Sequence, residues 1–335
     1  MLDVFKKNAF GIVSLTESIN TLPYVPSRVG SMGLFQEKGV RTLSVGLEYK
    51  NGTISLLQTQ PRGSGQTTTR TRNPRSMRTF NIPHIPHDDQ LLADDLQDVR
   101  AFGSETQLQT VSKQVADMLA EMGQNHETTW EWHRIGAVKG AVLDADGSII
   151  YDLFDEFGIV QDTLSFNFAT VTTGYLKQKA LQVERLMQNA LGATPYRGIH
   201  AFCGDGFFDN FVSHPEVRES YERFQGNAFA RTQQTGPGGF TWGGITWENY
   251  RGAVGATQFV DDDKASFFPT GSPGLFKRYN APADFVETVN TLGKPMYAKQ
   301  ERMKMDKGIE VHTQSNPLHI CTRPKCLVEG TDDTP

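Results

Sequence analysis

The sequence has little of what would mark a secreted, membrane-bound or nucleic-acid-binding protein. It contains 3 cysteines, Cys203, Cys321 and Cys326. A set so sparse and odd in number builds no disulfide framework and suits a reducing compartment. No apolar run approaches the roughly 18 residues that a transmembrane helix needs. The opening stretch 1–15 lacks a cleavage site after an apolar core, so the expectation is a cytosolic product with no membrane partner. An excess of basic charge is also missing. The formal net charge is -5, whereas a dedicated high-affinity nucleic-acid binder is usually basic. Hydrophobic residues make up only 38%, while 32 glycines and 16 prolines imply many turns and extended segments. At 335 residues the chain fits two domains, or one domain with large extensions.

Catalytic signatures are missing too. Ser213 and His214 are adjacent, but no Gly-x-Ser-x-Gly surrounds them. Asp144-x-Asp146-Gly147 starts like a calcium loop, yet the remaining ligands and the terminal glutamate are absent, which leaves a tight turn. His84 and His87 lie beside Asp88 and Asp89, with no further ligand placed by sequence. Cys321 and Cys326 have no second pair to complete a zinc site. Gly204-Asp205-Gly206 separates a strand from a helix, but neither a P-loop lysine nor GxGxxG spacing follows. No catalytic residue, metal ligand or cofactor site is therefore expected.

What the chain does have is a spine. Over 106–138, Leu108, Val111, Val115, Met118, Leu119 and Met122 recur at spacings of three and four, and Trp130, Trp132 and Ile135 continue the stripe. Lys113, Gln114, Asp117, Glu121 and Gln124 occupy the opposite face. Such a helix is about 45–50 Å long, more than a small domain's width. A hairpin follows at once, with Ala141, Val142 and Leu143 leading through Asp146-Gly147 into Ile149, Ile150 and Tyr151.

Before the spine, residues 1 to about 40 read as an arm. Phe5, Phe10, Ile12, Val13 and Leu15 are apolar, while Pro23, Pro26, Gly30 and Gly33 interrupt any long element. Either the terminus frays, or these apolar residues order against neighbouring chains. Leu43, Val45, Leu47 and Tyr49 alternate with polar positions as a half-buried strand, and Asn51-Gly52 predicts a hairpin returning over 53–57. Segment 61–78 carries Arg62, Arg70, Arg72, Arg75 and Arg78 with no acidic residue. It cannot bury itself. The simplest geometry is a long two-stranded loop lying on another subunit, its arginines reaching carboxylates there. The other reading is a solvated loop or an RNA-binding patch. Beyond Ile82, prolines stop any helix until Asp88 and Asp89, which could cap a short helix containing Leu91, Leu92 and Leu96.

After the hairpin, the pattern predicts a strand over 163–170 with Leu164, Phe166 and Phe168 on one face. A helix over 177–191 ends at Gly192. A strand over 198–203, helices over 207–214 and 215–224, and a strand over 245–250 come next. Asp261, Asp262 and Asp263 read as a solvated turn, and 266–276 as irregular and apolar. Segment 304–326 reads as a final strand pair, with the hairpin at 141–151 as its expected partner.

Four long stretches carry a resemblance: LSVGLEYKNGTISLLQTQPRG (43–63), RTFNIPHIPHDDQLLADDLQDVRAFGSE (78–105), the region from EWHRIGAVKG to DEFG (131–158), and KGIEVHTQSNPLHICTRPKCLVE (307–329). In these the chain resembles the major capsid protein E family of tailed phages and prophages. The resemblance implies an α+β fold of the Hong Kong phage type, shared by tailed-phage and herpesvirus shells. It divides the chain into an N-terminal arm (1–42), a hairpin and extended loop (43–84), and a peripheral domain (85–174 and 301–335). The last holds the spine helix at 105–137 and the hairpin at 141–151, and an axial domain covers 175–300.

The implied function is assembly into hexamers and pentamers of an icosahedral shell around double-stranded DNA, without catalysis. Arm contacts would come from Phe5, Phe10 and Ile12, and loop contacts from Arg62, Arg70, Arg72, Arg75 and Arg78. Bending would occur at Gly63 and Gly65, and at Gly136 and Gly140 after the spine. Implied partners are further copies, a portal, a scaffold or protease, a decoration protein, and packaged DNA touched without sequence preference. The product would reside in the virion capsid after assembly in the host cytoplasm. No lysine lies between Gly52 and His84, so no lysine cross-link is expected in the loop. Two other classes remain as contrasts. A nucleic-acid binder would show salt-sensitive monomeric binding, and an enzyme would show a pocket with perturbed titratable groups.

Overall fold

In the computed structural model the described residues are 27–50, 75–93, 95, 104–224, 239–254 and 257–333. Phe5, Phe10, Ile12, Arg62, Gly63, Gly65, Arg70, Arg72, the return strand at 53–57 and Leu96 lie outside them.

The spine is one helix, Ser104–Lys139, of 36 residues, about 54 Å long at 1.5 Å per residue. Its polar face is exposed at Lys113, Asp117, Glu121 and Gln124. Its apolar stripe serves two cores in turn. Val115, Leu119, Met122 and Trp130 pack with Leu91, Met296, Ala298, Ile309 and Val311. Ile135 and Val138 pack further along with Val29, Phe80, Leu153, Phe154 and Ile320. The hairpin, Ala141–Leu143 with Ile149–Asp152, forms as expected and turns through Gly147, at φ 84°.

That hairpin pairs only with itself among the described residues, so it is not the partner expected for the C-terminal strands. It folds back on the end of the spine, where a Cβ on Gly136 would lie 2.7 Å from the Ala141 carbonyl oxygen. The C-terminal strands pair elsewhere. Gly308–Ser315 sits between Tyr297–Arg302 and Ile85–Leu92, antiparallel to both. The expected short helix capped by Asp88 and Asp89 is thus a strand, with Leu91 opposite Ile309. Pro86 is tolerated because this strand is the edge of its sheet, where alternate N–H positions have no ladder to complete.

A second three-stranded sheet sets Phe35–Gly39 parallel to Phe276–Asn280, which runs antiparallel to Pro317–Cys321. Segment 266–276, expected to be irregular, ends one strand, Lys264–Thr270, and begins the next. The first of these is buried along its interior from Ala265 to Pro269, and a strand covered on both faces reads as a near-continuous apolar run, not as alternation.

The six-stranded sheet runs, in spatial order, Asp162–Ser165, Val328–Thr331, Lys264–Thr270, Gly198–Cys203, Ile245–Asn249 and Phe240–Trp242. Helix Tyr175–Leu191 buries Leu176, Ala180, Val183, Met187 and Leu191 and ends at Gly192 as expected. Helix Asp205–Ser213 adds Phe207 and Phe211, and Pro215–Phe224 follows. Trp247 is the centre of this core. It stacks on Phe211 at 4.1 Å and meets Phe267 edge-on at 5.2 Å. The strand predicted over 163–170 stops at Ser165, because Asn167 takes φ 29°; Phe166 and Phe168 still enter the core. Sheet pairing crosses the boundaries read from sequence. Val328–Thr331 joins the sheet of 198–270, and strand Tyr297–Arg302, which spans residue 300, pairs with Gly308–Ser315.

Gly136, expected after the spine, lies inside it. Gly140 ends it, at φ 98°, and a Cβ there would sit 2.2 Å from Phe154 Cε2. Gly147 has positive φ but open space around it. Gly140→Ala should therefore cost about 2–4 kcal/mol and Gly147→Ala about 1–2 kcal/mol in urea unfolding. Equal losses would show that the Phe154 contact carries no weight.

Candidate assembly interface and its anchor

The N-terminal segment enters the described structure at Ser27 and is gripped at once by buried polar side chains. Glu131, on the spine, is 5% exposed. Its Oε1 accepts from the Val29 N–H at 2.6 Å and from the Tyr250 hydroxyl at 3.1 Å, and Oε2 accepts from the Gly30 N–H at 3.2 Å. These amides belong to the single helical turn Arg28–Ser31; they precede its first internal bond, from the Ser31 N–H to the Ser27 carbonyl at 2.8 Å, and so need an acceptor from elsewhere. Arg134, one helical turn on from Glu131, donates to Ser27 Oγ at 2.9 Å and lies 3.5 Å from the carboxylates of Glu127 and Glu131.

The six-stranded sheet takes the same segment from the other side. Arg28 forms a two-pronged pair with Glu248, at 2.6 Å through Nη2, and His200 Nε2 meets the same carboxylate at 2.9 Å. Burial pushes the Glu248 carboxyl up, but hydrogen bonds from His200 and Arg28 outweigh it and hold the group below its ordinary range. The bond to Glu248 raises the Arg28 guanidinium in turn.

The next strand is held by a row across its sheet. Glu37, Arg278 and His319 are register partners on the three strands. Arg278 donates to Glu37 at 2.9 Å and to Asn280 at 3.0 Å, and its guanidinium lies 3.6 Å from the centre of the Trp130 ring. Burial lowers this guanidinium to about 10, with the Glu37 charge opposing. The Trp130 indole N–H donates to Ser315 Oγ at 3.1 Å. The stacking and the ion pair join spine, sheet and N-terminal segment at one point.

The loop is closed at its base. Ser44–Lys50 pairs with Arg75–Asn81, and Lys50 is opposite Arg75. Among the described residues strand 44–50 finds its partner in Arg75–Asn81, which takes up the end of the arginine-rich segment; the tight hairpin expected through Asn51-Gly52 lies outside them. Arg78, read as a contact to another subunit, lies over Phe157 of its own chain at 5.6 Å. His84 bonds Asn316, His87 bonds Asn125, and Asp88 bonds His312, so the residues weighed as metal ligands take separate partners. Asp144 and Asp146 accept from the Ala145 and Ser148 N–H groups and close the hairpin turn. Sequence reading missed Glu131, Arg134, Glu248 and Arg278. The available signal was the charged pair Glu131 and Arg134 set between Trp130 and Ile135 on the apolar side of the spine.

These observations meet an independent one. The sequence matches the model of the family described as Phage major capsid protein E over residues 11–332. The chain belongs to that family. The major capsid protein of Pseudomonas phage KPP10 is 28% identical over 348 residues, covering 97% of each chain. That of Salmonella phage Felix O1 is 24% identical over 370 residues, covering 99% of each. Among solved structures, a prophage protein of E. coli CFT073 superposes with a TM-score of 0.57 at 13% identity, covering 96% of this chain and 99% of the other. The capsid of cyanophage P-SCSP1u gives 0.50 at 11% identity, covering 90% and 87%. At such identities the likeness is one of fold, and that fold is the Hong Kong phage type. As a member of the major capsid protein E family, the chain is a structural protein of the phage head, placed in the virion shell.

Glu131→Ala removes the acceptor of two backbone amides and a tyrosine hydroxyl in a buried setting. The expected loss is about 2–4 kcal/mol. Hydrogen exchange should rise first over 27–31, while 198–203 stays protected; a uniform rise over both would show that Glu131 is not a local anchor.

Proposed function

We propose that the chain builds an icosahedral phage shell by forming both hexamers and pentamers around double-stranded DNA, and that it does so without catalysis. The family match over nearly the whole chain carries this reading. In this reading the spine, the hairpin and the sheet containing Gly308–Ser315 form the peripheral part, and the six-stranded sheet with its helices forms the axial part. The arm, through Phe5, Phe10 and Ile12, and the loop, through Arg62, Arg70, Arg72 and Arg75, would reach adjacent copies. Many moderate contacts of this kind become collectively strong when the shell closes.

The two ring sizes require bending. We assign it to Gly63 and Gly65 in the loop. The crowding at Gly136 and Gly140 favours a fixed corner there over a hinge. A portal, a scaffold or protease, and a decoration protein complete the assembly in the host cytoplasm. A net charge of -5 suits a wall beside DNA that need not bind it tightly.

Overexpressed full-length protein should show rings, tubes or shells by negative-stain microscopy. Changing Arg70, Arg72 and Arg75 together to Glu should leave a folded, soluble subunit by circular dichroism but abolish particles. Shells at normal yield from that variant would remove the loop from the inter-subunit contact.

A further inference from the structure

Six of the 8 histidines lie on the spine or on the strands and strand ends packed against it: His84, His87, His126, His133, His312 and His319. Four of them have partners within hydrogen-bond distance: Asn316, Asn125, Thr313 and Asp88 respectively for His84, His87, His126 and His312. His133 and His319 differ. Each is 1% exposed, and among the described residues neither ring nitrogen of either finds a hydrogen-bond partner. Their rings meet edge-on at 6.1 Å. Phe35, first residue of the strand after the anchor, lies edge-on over His319 at 5.4 Å.

We propose that the His133–His319 pair is an acid-sensitive latch: as neutral rings it holds strand Phe35–Gly39 against the body, and protonation releases that strand. The charges around the pair make protonation costly in place. His319 sits beside Arg278 in register and also feels Arg134 and His133. The carboxylates that could compensate are already engaged, Glu37 by Arg278 and Glu127 and Glu131 by Arg134. From the hairpin side, Asp144 faces His133 and favours its charged form, but burial outweighs it and lowers that ring to about 4. Burial, then Arg278, Arg134 and His133, hold His319 well below its ordinary value.

The sign follows from linkage. A group whose pKa is depressed when packed takes its proton more readily when released. The packed state therefore loses ground as pH falls below about 6.5, and the loss continues toward about 4. Strand Phe35–Gly39 is the element that yields, because among the described residues it is a sheet edge whose backbone pairs through one parallel ladder, and the ion pair that also holds it, Glu37 with Arg278, adjoins His319 in register. The latch does not depend on shell formation, since every group in it belongs to one chain.

The test is hydrogen exchange of the full-length protein at pH 7.5 and 5.0, corrected for the intrinsic rate. Protection over 35–40 should fall at least about tenfold, while 198–203 in the six-stranded sheet keeps its protection. His133→Phe with His319→Phe keeps the ring packing and should flatten the response. An unchanged segment 35–40 in the native protein, or an equal response in the double variant, overturns the latch. If that variant does not fold, deuterium uptake at the imidazole C2 carbon of the native protein titrates each ring by mass spectrometry. Midpoints well below 6 for His133 and His319 support the latch, and midpoints near 6.5 overturn it.

Discussion

A negative charge buried in the middle of a long helix is the constraint on which this subunit depends. The carboxylate of Glu131 is costly to bury unless its oxygens are filled. It is filled by two backbone amides from residues about a hundred positions earlier and by the hydroxyl of Tyr250, which follows strand Ile245–Asn249. The spine can therefore bury this face only when the N-terminal segment and the six-stranded sheet are both in place. Arg134 and Arg278 repeat the arrangement on either side, each guanidinium joining the spine side to a strand or turn it would not otherwise touch. The long helix supplies reach, and the buried charges fix what lies along it.

The same arrangement ties down the described residues that border the arm and the loop. The apolar cores are dense around Trp247 and around Trp130, and the polar anchor sits where the chain passes from arm to body. The base of the arginine-rich loop is likewise tied down, by a seven-pair ladder between Ser44–Lys50 and Arg75–Asn81 and by Arg78 resting on Phe157. The residues next to both proposed contact segments are thus held at fixed points of the body, at 27–31 and at 44–50 with 75–81.

The spine, its hairpin, the Gly192 stop and the strands bounding the loop were legible in the sequence, because each rests on a local pattern of spacing or turn chemistry. Strand Ile85–Leu92 was not. Its prolines and paired aspartates read as a helix start, and only the partner strand more than two hundred residues away makes it an edge strand. The partner of the C-terminal strands was misjudged for the same reason, since long-range pairing leaves no local mark. The anchor was hidden differently. Glu131 and Arg134 stand as charged interruptions of the apolar side of the spine, and only the close approach of distant segments shows what they bind.

The sheet order has a consequence for synthesis. Val328–Thr331 lies between Asp162–Ser165 and Lys264–Thr270, and Gly308–Ser315 lies between Tyr297–Arg302 and Ile85–Leu92. Both sheets thus take an interior strand that is synthesised after the strands on either side of it, so neither can close before its part of 308–331 has left the ribosome. Loop closure over such distances is slow. A nascent subunit emerging beside others therefore presents an unfinished surface until translation has passed this region, which delays its recruitment into a growing particle.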